Sequence, residues 1–197
     1  MQELLDTIRD TRAGESSLRK LVENIVALAS DKSFSSLGPE ARVNVLTLLA
    51  AVPKERWDAE GWINLKAAAR RAVADATATL GGCSASSQSC AQIALLKPKL
   101  GWDLAAGRTI SFQFAGMVRD DAQAVADKLR SLGWQIPVAE RTGAAAGYNE
   151  VRYGDDGDRA TAELLAADLR ALGRSGVRAH KAVNGVKSRI LEVWISV

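Results

Sequence analysis

The chain has two cysteines and one histidine in 197 residues, and that scarcity removes several kinds of chemistry. Cys83 and Cys90 form a C-x6-C pair in GGCSASSQSC. With no further cysteine and no nearby histidine, they cannot fill a four-ligand zinc site. Two free thiols are expected, with a small disulfide loop as the alternative in an oxidising compartment. His180 lies in VRAHKAV, far along the chain from both cysteines. A Cys–His nucleophile needs the two groups in hydrogen-bond contact. No local motif suggests that, so His180 reads as an exposed strand histidine and a cysteine-dependent hydrolase is the least favoured class. No apolar run approaches the roughly 18 residues of a membrane span. The opening MQELLDTIRDTR is charged and amphipathic, without the apolar core of a secretory signal. A cytoplasmic location is expected, with export only if the native precursor carries a signal peptide absent from this chain.

A concentration of one charge is also lacking. Net charge is +3, with acids and bases mixed through both halves. A nucleic-acid binder gathers Lys and Arg on one face to neutralise several phosphates together. Here Arg70 and Arg71 share their predicted helix with Lys66 and Asp75, a pattern that reads as a solvated face. The glycines of TGAAAG and GRSG lead to no G-K-[ST], so no phosphate loop is present. Asp155, Asp156 and Asp158 look like a fragment of a calcium loop without its bidentate twelfth-position Glu. Negative charge at a helix start already accounts for them. Neither a metal, a cofactor nor a catalytic residue is expected, and the chain reads as a non-enzyme.

What is present is material for a real core: 47% hydrophobic against 25% charged residues, ordinary for one domain or two small ones. Residues 1–82 read as helical. Leu18, Leu21, Val22, Ile25, Val26 and Ala29 follow the spacing of one apolar helix stripe, with Ser16 as a candidate cap. Pro39 suits a first helical turn and Pro53 a position beyond a helix end. A further helix over about 59–80 puts Trp62, Leu65, Ala69, Val73, Ala76 and Leu80 on one face. From 83 to 107 the pattern breaks into a linker or packed strap, which Trp102 pins down. From 108 to 197 the period changes. RTISFQF alternates, DDAQAVADKLRSLGW is helical, and WQIPVAE, NEVRY, VRAHKAV and RILEVWISV read as strands around a second helix in DRATAELLAADLRALG. The fold class is therefore α+β: an N-terminal helical bundle, then a ferredoxin-like βαββαβ domain with a terminal strand and helices on one face of an antiparallel sheet.

Strand parity divides that sheet. Leu191, Val193 and Ile195 face the helices, while Ile190, Glu192, Trp194 and Ser196 face the other way. Ser111, Gln113, Arg152 and His180 join Trp194 on the open side. An aromatic among polar and basic groups on a flat sheet is a candidate surface for a ligand or partner. The competing expectation is that the N-terminal helices cover this face and make Trp194 a core residue.

The second half resembles a known family. GRTISFQFAG, AQAVADKLRSLGW and NEVRYGDDGDRATAELLAADL look like the C-terminal domain of LytR-type cell-envelope proteins. That domain is similar in shape to SPOR, a peptidoglycan-binding repeat domain. Leu129, Gly133 and Trp134 match its L-x-x-x-G-[FW] step. Val151, Arg152, Tyr153, Asp158, Ala162, Leu165 and Ala166 match its V-[VR]-Y, acidic helix start and A-x-x-L-A. The chain departs at Ala115-Gly116, where the family usually has N-G. The same stretch and the LEVW ending also resemble the accessory tails of bacterial caspase-like proteins, without the protease's motifs. Composition and the second resemblance together lead to a non-catalytic interaction or regulatory module with a protein partner, the accessory region of a larger caspase-like system. The first resemblance implies the alternative, a SPOR-like binder of peptidoglycan glycan.

Overall fold

A computed structural model describes residues 2–10, 14–59, 61–84, 87–182 and 185–197. The chain divides into two compact units, Met1–Leu100 and Gly101–Val197. Among the described residues no helix is long and apolar enough to cross a membrane.

The first unit consists of helices α1 Gln2–Arg9, α2 Glu15–Ala29, α3 Asp31–Ser36, α4 Pro39–Ala51, α5 Lys54–Trp57, α6 Ile63–Thr79 and α7 Gln88–Lys99. α2 buries Leu18, Val22, Ile25, Val26 and Ala29. It is preceded by Gly14 rather than capped by Ser16, which falls inside its first turn. Pro39 occupies the first turn of α4, where its missing N–H leaves no bond unmade. Trp57 and Trp62 are buried edge to face, with centroids 5.8 Å apart. Two cations close gaps in the backbone accounting. Fully buried Arg70 donates to the Leu100 carbonyl at 2.9 Å. Lys99 donates to the carbonyls of Ala50 and Val52 at the end of α4, where a helix leaves acceptors unpaired. Burial pushes the Lys99 ammonium below its ordinary pKa.

Residues 83–107, expected as a linker or packed strap, hold the whole of α7 and a further helix, α8 Trp102–Ala106, which belongs to the second unit. The free thiols expected there are also corrected, because Cys83 and Cys90 form a disulfide. Gly81 and Gly82, both at positive φ, turn the chain back after α6. Ser87 accepts from the Cys90 amide at the start of α7. The two Cα atoms come to 5.3 Å, within bridging range. Six intervening residues gave no view of that reversal from spacing alone.

The second unit continues with β1 Thr109–Ala115, α9 Arg119–Ser131, β2 Ala139–Arg141, β3 Asn149–Tyr153, α10 Arg159–Ala171, β4 Arg178–Lys181 and β5 Ile190–Ser196. Val183, the expected end of the fourth strand, lies outside the described residues. The strand order is β2-β1-β5-β3-β4. The sheet is mixed, which corrects the antiparallel arrangement: only β3 and β5 run antiparallel, while β1–β2, β1–β5 and β3–β4 are parallel. The reason is connectivity. Each helix returns the chain beside the strand it left, so β1-α9-β2 and β3-α10-β4 are adjacent parallel units. The last strand enters between them rather than extending an edge. Right-handed crossovers in two oppositely directed units put both helices on the same face. There Ile110, Phe112, Phe114, Val151, Leu191, Val193 and Ile195 are buried with Ala126, Leu129, Leu165 and Leu169.

Buried polar groups hold this core in register. The Asp158 carboxylate, 3% exposed, accepts from Arg108 Nε at 2.6 Å and from the Arg189 amide at 2.9 Å. It thereby ties the entries of β1 and β5 to the start of α10. Trp134 Nε1 donates to the buried Asp168 carboxylate at 2.7 Å. Trp134 thus belongs to the core beside α9 rather than to the strand read at WQIPVAE. Gly133 sits at φ 90°, and a Cβ there would lie 2.8 Å from Trp102 Cδ1, so the step before Trp134 needs glycine twice over.

Two stability predictions follow from these bonds. Replacing both cysteines by serine removes a short cross-link worth about 2.5 kcal/mol in the chain-entropy account. Chemical denaturation should show that loss in the helical unit of the double variant; reductant should produce the same loss in the wild type and no further loss in the double variant. Asp158→Asn leaves Arg108 without its buried counter-charge and should cost about 3 kcal/mol, read as an earlier unfolding midpoint of the second unit.

Candidate functional site

The face of the sheet turned away from α9 and α10 carries two rows of side chains set by strand register. One row runs Glu140, Gln113, Trp194, Glu150, Arg178 across β2, β1, β5, β3 and β4. The other runs Ser111, Glu192, Arg152, His180. All five residues singled out by parity, Ser111, Gln113, Arg152, His180 and Trp194, therefore lie on one face. Ser111, Gln113, Arg152 and Trp194 are half-buried and His180 is exposed on the edge strand β4.

At the centre is a compact cluster. The Arg152 guanidinium carbon lies 3.9 Å from the Trp194 ring centroid and 4.7 Å from that of Tyr148. The two rings meet edge to face at 5.8 Å. Arg152 Nε donates to Glu150, and the indole N–H of Trp194 donates to Glu192 at 3.1 Å. Such stacking of a planar cation on indole is favourable.

Topology explains Tyr148. Because β5 separates the two parallel units, the chain from β2 to β3 must pass the ends of β1 and β5. It is held there by Thr142 N–H on the Phe114 carbonyl at 3.0 Å and Gly147 N–H on Ser196 Oγ at 3.1 Å. That path delivers Tyr148, 44% exposed, beside Trp194. The sequence alone does not single out Tyr148, and Glu150 is passed over although it shares parity with Arg152 in NEVRY. Glu192 stood on the right face but was not singled out. For the two glutamates the alternation was available.

The remaining candidates are accounted for locally. Asp155 accepts from the Gly157 amide at 2.8 Å, Asp156 binds Lys181 at 2.8 Å, and Asp158 is under Arg108. With Cys83 and Cys90 joined, the described residues contain no free thiol to pair with His180.

The sequence model of the SPOR domain matches residues 111–178, from β1 to the first residue of β4. The C-terminal unit is thus a SPOR-like α+β domain, and SPOR is a family of binding domains. The match includes Ser111, Gln113 and Arg152, while His180 and Trp194 lie beyond it. No curated protein and no solved structure matches the chain, so the resemblance to caspase-like tails finds no support.

If Trp194 belongs to an open face, Trp194→Ala should cost about 1–2 kcal/mol, the worth of one cation–π contact and one aromatic pair. A core tryptophan would cost about 3–5 kcal/mol. A thermal melt of the variant separates the two, and a loss in the higher range would remove the open-face assignment.

Proposed function

We propose that the C-terminal unit is a non-catalytic module that binds the glycan strands of peptidoglycan on the open face of its sheet. The observation that carries this reading is the Trp194–Tyr148–Arg152 cluster, flanked by Ser111 and Gln113, in a unit matched by a peptidoglycan-binding family. Sugar rings present C–H faces that pack on indole, and their hydroxyl and acetamido groups need nearby donors and acceptors. In this reading Trp194 is the apolar platform, Ser111 and Gln113 supply uncharged hydrogen bonds from β1, and Glu192 accepts from hydroxyls. His180 lies at the basic edge of the face, and Arg152 is stacked over Trp194. The family match favours a glycan over the protein partner expected from composition. The disulfide agrees with an oxidising compartment, where peptidoglycan lies, and supports export over the cytoplasmic location expected from the amino-terminal residues.

Co-sedimentation of the full chain with purified peptidoglycan sacculi tests the reading. Wild type should pellet in a saturable manner. Trp194→Ala should weaken binding roughly thirtyfold, the scale for truncating an aromatic anchor. Recovery of all the wild-type protein in the supernatant would overturn the proposal.

A further inference from the structure

Arg152 stands where a stacked ligand would have to stand. At 3.9 Å from the indole centroid, its guanidinium is in van der Waals contact with the ring, and no sugar fits between them. The rest of Trp194 is engaged too, with Tyr148 against it and its N–H on Glu192. The unliganded face therefore satisfies itself. Arg152 is 21% and Glu150 19% exposed, so the covering pair is still reached by solvent and can rearrange.

We propose that Arg152 is a displaceable cover over the Trp194 platform, latched by Glu150, and that a neutral pyranose ring binds by taking the guanidinium's place. This rests on the glycan reading above and adds to it a closed and an open state of the same site. Both states have a partner for the cation. Glu150 holds it in the closed state, two residues away on β3. Glu192, directly opposite Arg152 on β5, can receive it when the ring moves in. A cation stacked at a partly exposed site and an ion pair that water can reach are both weak contacts, so the cover is favoured yet escapable. The closed fraction raises the apparent dissociation constant, because only the open form competes for ligand.

The consequence has an unusual sign: removing a residue of the site should improve binding. In sacculus co-sedimentation with the full chain, Arg152→Ala should bind about tenfold tighter than wild type, and Glu150→Gln about threefold tighter through loss of the latch. If Arg152→Ala fails to fold, Glu150→Gln decides alone. If wild type binds and is weakened by Trp194→Ala while Arg152→Ala and Glu150→Gln bind equally or less well, the cover is wrong and the glycan reading stands. If no form pellets, both proposals fall.

Discussion

The second unit depends on its last strand lying in the middle of its sheet. β5 pairs with β1 along seven positions and with β3 along four, and it joins two parallel units that otherwise share no strand. Its three inward residues, Leu191, Val193 and Ile195, complete an apolar layer under both helices. The Asp158 carboxylate secures this insertion at one end by binding Arg108 before β1 and the Arg189 amide before β5. A buried carboxylate with an incomplete set of partners is costly, so the start of α10 and the entries of both strands are set together.

The same insertion creates the candidate site. Both helices are committed to one face, and the connection from β2 to β3 has to pass the ends of β1 and β5, bringing Tyr148 to Trp194. The opposite face is left with charges of both signs, of which Glu150 and Arg152 pair within β3. A net charge of +3 spread through both halves carried no information about the partner.

The helical unit is held by different means. Its apolar stripes bury conventionally, and the cations Arg70 and Lys99 spend their charge on main-chain carbonyls. The disulfide closes the short connection between α6 and α7. It fixes the entry of α7, where Ser87 accepts from the Cys90 amide.

Much was legible in the residues. The stripe of Leu18 to Ala29, the proline at the head of α4, the strand alternation of RTISFQF and LEVWISV, and the common parity of Ser111, Gln113, Arg152, His180 and Trp194 are local properties. Backbone periodicity decides them wherever the chain goes. What escaped was everything set by contacts between distant segments: the mixed sheet with β5 at its centre, Trp134 bonded to Asp168 rather than opening a strand, the Cys83–Cys90 bridge, and Tyr148 brought beside Trp194. A strand's parity says which way its side chains point but not which strands lie beside it. Pairing is chosen by the total burial and hydrogen bonding of the whole sheet, so the sequence by itself determined the faces, and only the tertiary structure decided what each face meets.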